Sequence, residues 1–105
     1  MAVIDSIDEW LASLSASLDS ADVEVRVQRS PSDRPIASRA INLRRGEREV
    51  DLVVWETGLA DLIVARDVES PAFMEHHDDL LEPKRLRAVL TRMLEGIAFV
   101  EPSKD

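Results

Sequence analysis

Between residues 50 and 64 the apolar positions mirror one another about Thr57. Val54 and Ala60, Leu52 and Leu62, and Val50 and Val64 lie at equal distances from that residue. An antiparallel hairpin paired this way puts all six side chains on one face. It leaves Glu56, Thr57 and Gly58 as a three-residue loop, in which glycine can take the left-handed conformation without a Cβ clash. Slipping the register by one residue sets Val54 against Asp61 and destroys the pattern. The other face of the hairpin holds Asp51, Val53, Trp55, Leu59, Asp61 and Ile63, apolar in the middle and acidic at the edge.

The flanking segments extend this pattern. Ile41 and Leu43 alternate with Ala40 and Asn42, which predicts a strand over 36 to 44. A Gly46-Glu47 turn of type II′ then pairs Leu43 with Val50, Ile41 with Leu52, and Arg44 with Glu49. Two separate turns thus assign the same face to the core. Val23, Val25 and Val27 alternate with Glu24, Arg26 and Gln28, a half-buried strand that ends in the turn-rich segment from Ser30 to Pro35. Residues 72 to 76 are expected to form a short fifth strand, and 78 to 82 a linker.

Ile4, Ile7, Leu11, Leu14 and Leu18 recur at helical spacing, with Trp10 widening the stripe. Ser6 to Glu9 fits a capping box, which would start this helix near Ser6 and put Asp8 in its first turn. Ser13, Ser15, Ser17 and Ser20 make a short, uncharged polar face. Pro83 suits the first turn of a second helix, whose stripe is Leu86, Val89, Leu90, Met93, Leu94 and Ile97. Gly96 is either its C-terminal cap or a weak point. The expected fold is α+β: an antiparallel sheet of four or five strands, with an N-terminal and a C-terminal helix on one face. The pattern reads as one domain over 1–105, with an ordered core at about 4–98 and a frayed tail at 101–105. Hydrophobic patterning leaves the spatial strand order open, because a first strand in the centre fits nearly as well.

The chain has no cysteine, which excludes a disulfide scaffold, a thiolate metal site and a cysteine nucleophile. It shows neither a secretory signal nor a run long enough to span a bilayer, so a cytoplasmic location is expected. The net charge of −8 is concentrated in residues 51–82, where nine acids face only Arg66. Such a segment repels phosphate and attracts a basic partner, which argues against nucleic acid as the ligand. The same charge also serves solubility alone.

Candidate chemistry is sparse. Glu75-His76-His77-Asp78-Asp79 is the one cluster of ligating types, but adjacent histidines on an extended segment point to opposite sides. A solvated histidine pair is the simpler reading, and no metal or other cofactor is expected. Asp51 and Asp61 would be neighbours on the outer face without being directly opposed, because Val53 faces Asp61. No nucleophile elbow or phosphate loop is present, and no catalytic residue is assigned. Trp55 either covers the outer sheet face by pairing with Leu59 or forms the centre of a protein interface. The candidate partner-binding residues are Asp51, Trp55, Glu56, Asp61, Asp67, Glu69, Asp78 and Asp79.

The run Val53-Val-Trp55-Glu-Thr-Gly58-x-x-Asp61-Leu-x-Val64, followed by Glu75-His76 and a leucine-rich C-terminal helix, resembles the TriTu family of bacterial immunity proteins. Trp10, Trp55, Gly58 and Asp61 match its pattern of a tryptophan-bearing first helix, a Trp-x-x-Gly hairpin and a closing helix, over about residues 4 to 98. The His76-His77 pair and the arginine-rich second strand depart from it. The resemblance implies a small cytoplasmic, non-enzymatic antidote that blocks a cognate toxin domain or holds it inactive. It carries over no contact residues. A small acidic secretion chaperone, dimeric and holding an effector segment, is the alternative from another class. Whether the chain associates with itself is left open by the sequence.

Overall fold

The structure, a computed structural model, describes residues 3–31, 33, 35–65 and 73–99. The elements are α1 (Val3–Ser20), β1 (Glu24–Arg29), β2 (Ser38–Arg45), β3 (Arg48–Trp55), β4 (Ala60–Ala65), β5 (Phe73–His77) and α2 (Pro83–Gly96). The strands form an antiparallel meander in the order β1-β2-β3-β4-β5, so no strand crosses over another. Consecutive antiparallel strands joined by short turns need no longer connection.

Both expected hairpin registers are present. Val50 pairs with Val64, Leu52 with Leu62 and Val54 with Ala60. Leu43 pairs with Val50, Ile41 with Leu52 and Arg44 with Glu49. The turns explain why. Gly46 has φ +61, as the first position of a type II′ turn requires. In the second turn Trp55 N–H donates to Leu59 O at 2.9 Å, Gly58 N–H donates to Trp55 O at 2.9 Å, and Gly58 has φ +94.

Ile41, Leu43, Val50, Leu52, Val54, Ala60, Leu62 and Val64 form the buried face, and both described helices cover it. Ile7, Leu14 and Leu18 come from α1; Val89, Met93 and Leu94 come from α2. No polar or charged residue is buried among the described residues. Each fully buried Leu or Ile contributes about 1.5–3 kcal/mol of transfer free energy, so this face dominates the favourable side of folding.

Several local expectations are corrected. The first helix begins by Val3, so Ser6 to Glu9 lies within it and is not a capping box. Asp8 instead accepts a forked pair from Arg39, with Nε–Oδ1 at 3.0 Å and Nη2–Oδ2 at 2.9 Å. Arg39 sits on the helix-facing side of β2, opposite Val54. The pair ties α1 to the sheet across 31 residues of chain. The second strand starts at Ser38, and Ile36 is exposed before it. The 78–82 segment is anchored at one residue: Leu80 is buried and its N–H donates to Gly58 O at 3.1 Å, while the other four are exposed. A Cβ on Gly58 would lie 2.9 Å from Leu81 Cγ, so this glycine serves both the turn and the passage of a second segment. The expected frayed tail lies outside the described residues.

Gly96 is not the cap. It is the last residue of α2 and presses on the sheet, where a Cβ would come within 2.5 Å of Val50 Cγ2. The left-handed residue is Ala98, φ 54. Ala98 N–H donates to Glu95 O and Phe99 N–H to Leu94 O, both at 3.0 Å, the pair of bonds of a Schellman motif. The first helix ends the same way, with Asp22 at φ 59, Asp22 N–H to Asp19 O at 3.0 Å and Val23 N–H to Leu18 O at 2.9 Å. In each motif the residue after the left-handed one, Val23 or Phe99, is buried with the core.

Two substitutions at the end of α2 should therefore act against simple helix propensity. Gly96→Ala gains propensity but overpacks Val50, and a net loss of about 1–3 kcal/mol is expected in urea unfolding. Ala98→Gly relieves a left-handed alanine and should gain about 0.5–1 kcal/mol.

The Arg39 hydrogen bond holds the Asp8 carboxyl below its ordinary value, against the opposing effect of burial. Its stabilisation is complete above the unfolded carboxylate range and is lost as pH falls through the lower folded value. Asp8→Asn should cost about 1–2 kcal/mol at neutral pH, between an exposed and a buried pair. Stability measured against pH should show this cost shrinking as the solution is acidified below the ordinary aspartate range.

Candidate functional site: the uncovered face of the sheet

Alternation along the strands gives the sheet a second face, and no described helix packs on it. Its cross-strand rows follow from the register. Gln28, Ala40, Val53, Asp61 and His76 make one row. Arg26, Asn42, Asp51, Ile63 and Met74 make the next. Glu24, Arg44, Glu49 and Ala65 make a third, and Ser38 lies beside Trp55 at the other end.

The structure brings Asp51, Trp55 and Asp61 onto this face, around Val53. Asp61 is directly opposite Val53; Asp51 and Trp55 are two residues either side of Val53 on β3. Trp55 is half-buried, while Leu59, Ile63 and Met74 are exposed. Trp55 shares a shallow depression with Pro31, Pro35, Ile36, Ser38 and Ala40. The loop before β2 therefore forms one wall beside the tryptophan, and Leu59 is not its sole neighbour.

The two central carboxylates have separate partners. Asn42 Nδ2 donates to Asp51 Oδ1 at 2.8 Å. His76 Nδ1 lies 2.7 Å from Asp61 Oδ1. The carboxylates thus stand diagonal to each other with different partners, not as a pair sharing one proton. The histidines do point to opposite sides: His76 is exposed to solvent, His77 is half-buried, and each has a carboxylate partner. His77 turns to the helix-facing side, where its Nε2 is 3.1 Å from Glu75 Oε1, and Arg92 of α2 pairs with the same glutamate. Among the described residues no group of three or more His, Asp or Glu is arranged to hold a metal.

Glu56 is exposed in the β3–β4 turn. Asp78 and Asp79 are at the same end of the sheet, because His77 pairs with Ala60 and Leu80 bonds to Gly58. Asp79 is partly offset by Arg85, at 3.5 Å. Asp67 and Glu69 lie outside the described residues.

Arg26, Arg44, Met74 and His76, outside the candidate set read from the sequence, share this face. Arg26 and Arg44 make its β1–β2 half mixed in sign, beside Glu24 and Glu49, whereas Asp51 and Asp61 make the β3–β4 half acidic. The strand parity already read for Val25 and Leu43 could have placed the arginines. Met74 and His76 needed the register of β5, which no turn motif announces.

No described helix is long and apolar enough to cross a membrane. Because this face is outside the core, Asp61→Lys and Trp55→Ala should leave the fold standing. Thermal melts by circular dichroism should show less than about 1 kcal/mol lost for Asp61→Lys, against about 2–5 kcal/mol for Leu62→Ala on the buried face.

Compared with protein-family models, with curated proteins and with solved structures, the chain has no match.

Proposed function

We propose that this chain is a non-catalytic immunity protein that binds a cognate bacterial toxin domain through the uncovered sheet face and neutralises it by contact. The observation that carries this reading is the one-sided packing of the helices. It leaves Trp55, Val53 and Ile63 as an apolar centre bordered by Asp51 and Asp61. Tryptophan is enriched at protein interface hot spots. The excess of acids over residues 51–82 favours a partner with a basic surface and speeds the encounter with it. Glu56, Asp78 and Asp79 extend the acidic rim at the turn end of the sheet. Such a protein works in the cytoplasm of the cell that makes the toxin, and the resemblance to the TriTu family points the same way.

The test is co-purification with the folded C-terminal domain of a toxin encoded beside this chain, followed by titration calorimetry. Trp55→Ala and Asp61→Lys should each weaken binding by about tenfold or more. Unchanged affinity in both variants would remove this face as the contact. Binding of an extended effector segment in place of a folded domain would favour the secretion-chaperone alternative.

A further inference from the structure

Among the described residues β1 pairs only with β2, and all six of its residues are exposed. Val25 and Val27 face the helix side, opposite Leu43 and Ile41. Yet they are 40% and 41% exposed, while Leu43 and Ile41 are at 0% and 1%. Geometry explains the difference. α2 lies over β3 and β4, and α1 reaches from β3 to β1 without closing over the edge strand. The shortfall falls at β1, where an apolar groove runs between the strand and Leu11, Ala12 and Ser15 of α1.

We infer that this edge pairs with the same edge of a second copy of the chain, antiparallel, about a twofold axis through Val25. Opposed residues in an antiparallel pair share a face, so the axis of a self-pairing strand passes through a residue. Residues 23 to 27 read Val-Glu-Val-Arg-Val, symmetric in polarity and opposite in charge about Val25. With the axis there, Val25 meets Val25 on the helix side, and Val27 of each copy lies beside Val23 of the other, which its own core already buries. Glu24 of each copy meets Arg26 of the other on the opposite side, giving two ion pairs. An axis through Arg26 opposes two arginines. One through Glu24 opposes two glutamates. One through Val27 puts Val25 against Arg29. Only the Val25 register joins apolar contacts on one face with attraction on the other.

Charges on an edge strand ordinarily discourage pairing. Here their signs reverse about Val25, so they select one register and penalise its neighbours. Glu24 and Arg26 already approach within 4.0 Å on the same face of one strand, so both side chains are free to re-pair across the axis. Ala12 and Ser15 are small, which lets the first helices of the two copies come together over the paired valines. The dimer continues the sheet and leaves Trp55 and Asp61 of each copy uncovered. The inference is thus independent of the proposed function.

Sedimentation equilibrium of the full chain at submillimolar concentrations tests it. The wild type should approach twice the chain mass of 11.8 kDa, and added salt should weaken the association. Glu24→Arg and Arg26→Glu should each raise the dimer dissociation constant by about tenfold or more, since each creates two like-charge contacts. The double variant Glu24→Arg with Arg26→Glu should restore the wild-type value. A wild type that stays at 11.8 kDa would overturn the proposal. So would a dimer insensitive to either reversal, or one that the double exchange fails to recover.

Discussion

Leu52 lies between Ile41 and Leu62 on neighbouring strands, and water reaches almost none of the three. Around this row the buried face is assembled, and its register governs the rest of the molecule. A slip of one residue in β3 would turn Asp51 and Val53 inward and Leu52 outward. Burying one unpaired carboxylate costs far more than a single leucine contributes, so the alternative registers are not close competitors. Once the register is set, the outer face is also set, because each strand residue that leaves the core must enter it.

The two helices then have to share one face of five strands. The second helix lies over β3 and β4 and comes close enough for Gly96 to touch Val50 and Val64. The first helix crosses towards β1 and is tied to the sheet by Asp8 and Arg39. Paired charges mark both margins of the helix layer: Asp8–Arg39 on one side, and the Glu75, His77 and Arg92 cluster on the other. There the apolar cover thins, and long polar side chains bridge from helix to strand. Val25 and Val27 lie beyond the first of these margins. Their exposure follows from where the two helices lie on the sheet and not from any defect of the strand.

The outer face combines an apolar strip with mixed charge, and its sign is graded. Arg26 and Arg44 stand with Glu24 on β1 and β2, whereas Asp51 and Asp61 stand on β3 and β4 with an amide and an imidazole for partners. Fixed partners orient these carboxylates. An interface built on them would meet acids held in place by their neighbours, which lowers the ordering cost of binding.

Both hairpins, their registers and the buried face were legible in the sequence. Turn chemistry at Gly46 and Gly58 and a period of two are local properties that act within a few residues. Asp51, Trp55 and Asp61 were placed on a common face for the same reason. Capping is less legible: Ser6 to Glu9 satisfies the motif, but Val3 and Ile4 are also buried, and their burial draws the helix back past the serine. Leu80 looked like linker because burial of a single leucine has no period. Only tertiary structure decided the meander order, the commitment of Asp8 to Arg39, the pairing of Asp61 with His76, and the margin at which two helices fail to cover five strands. Each of these joins residues far apart in the chain, and such contacts depend on how the elements pack, which local patterning does not encode.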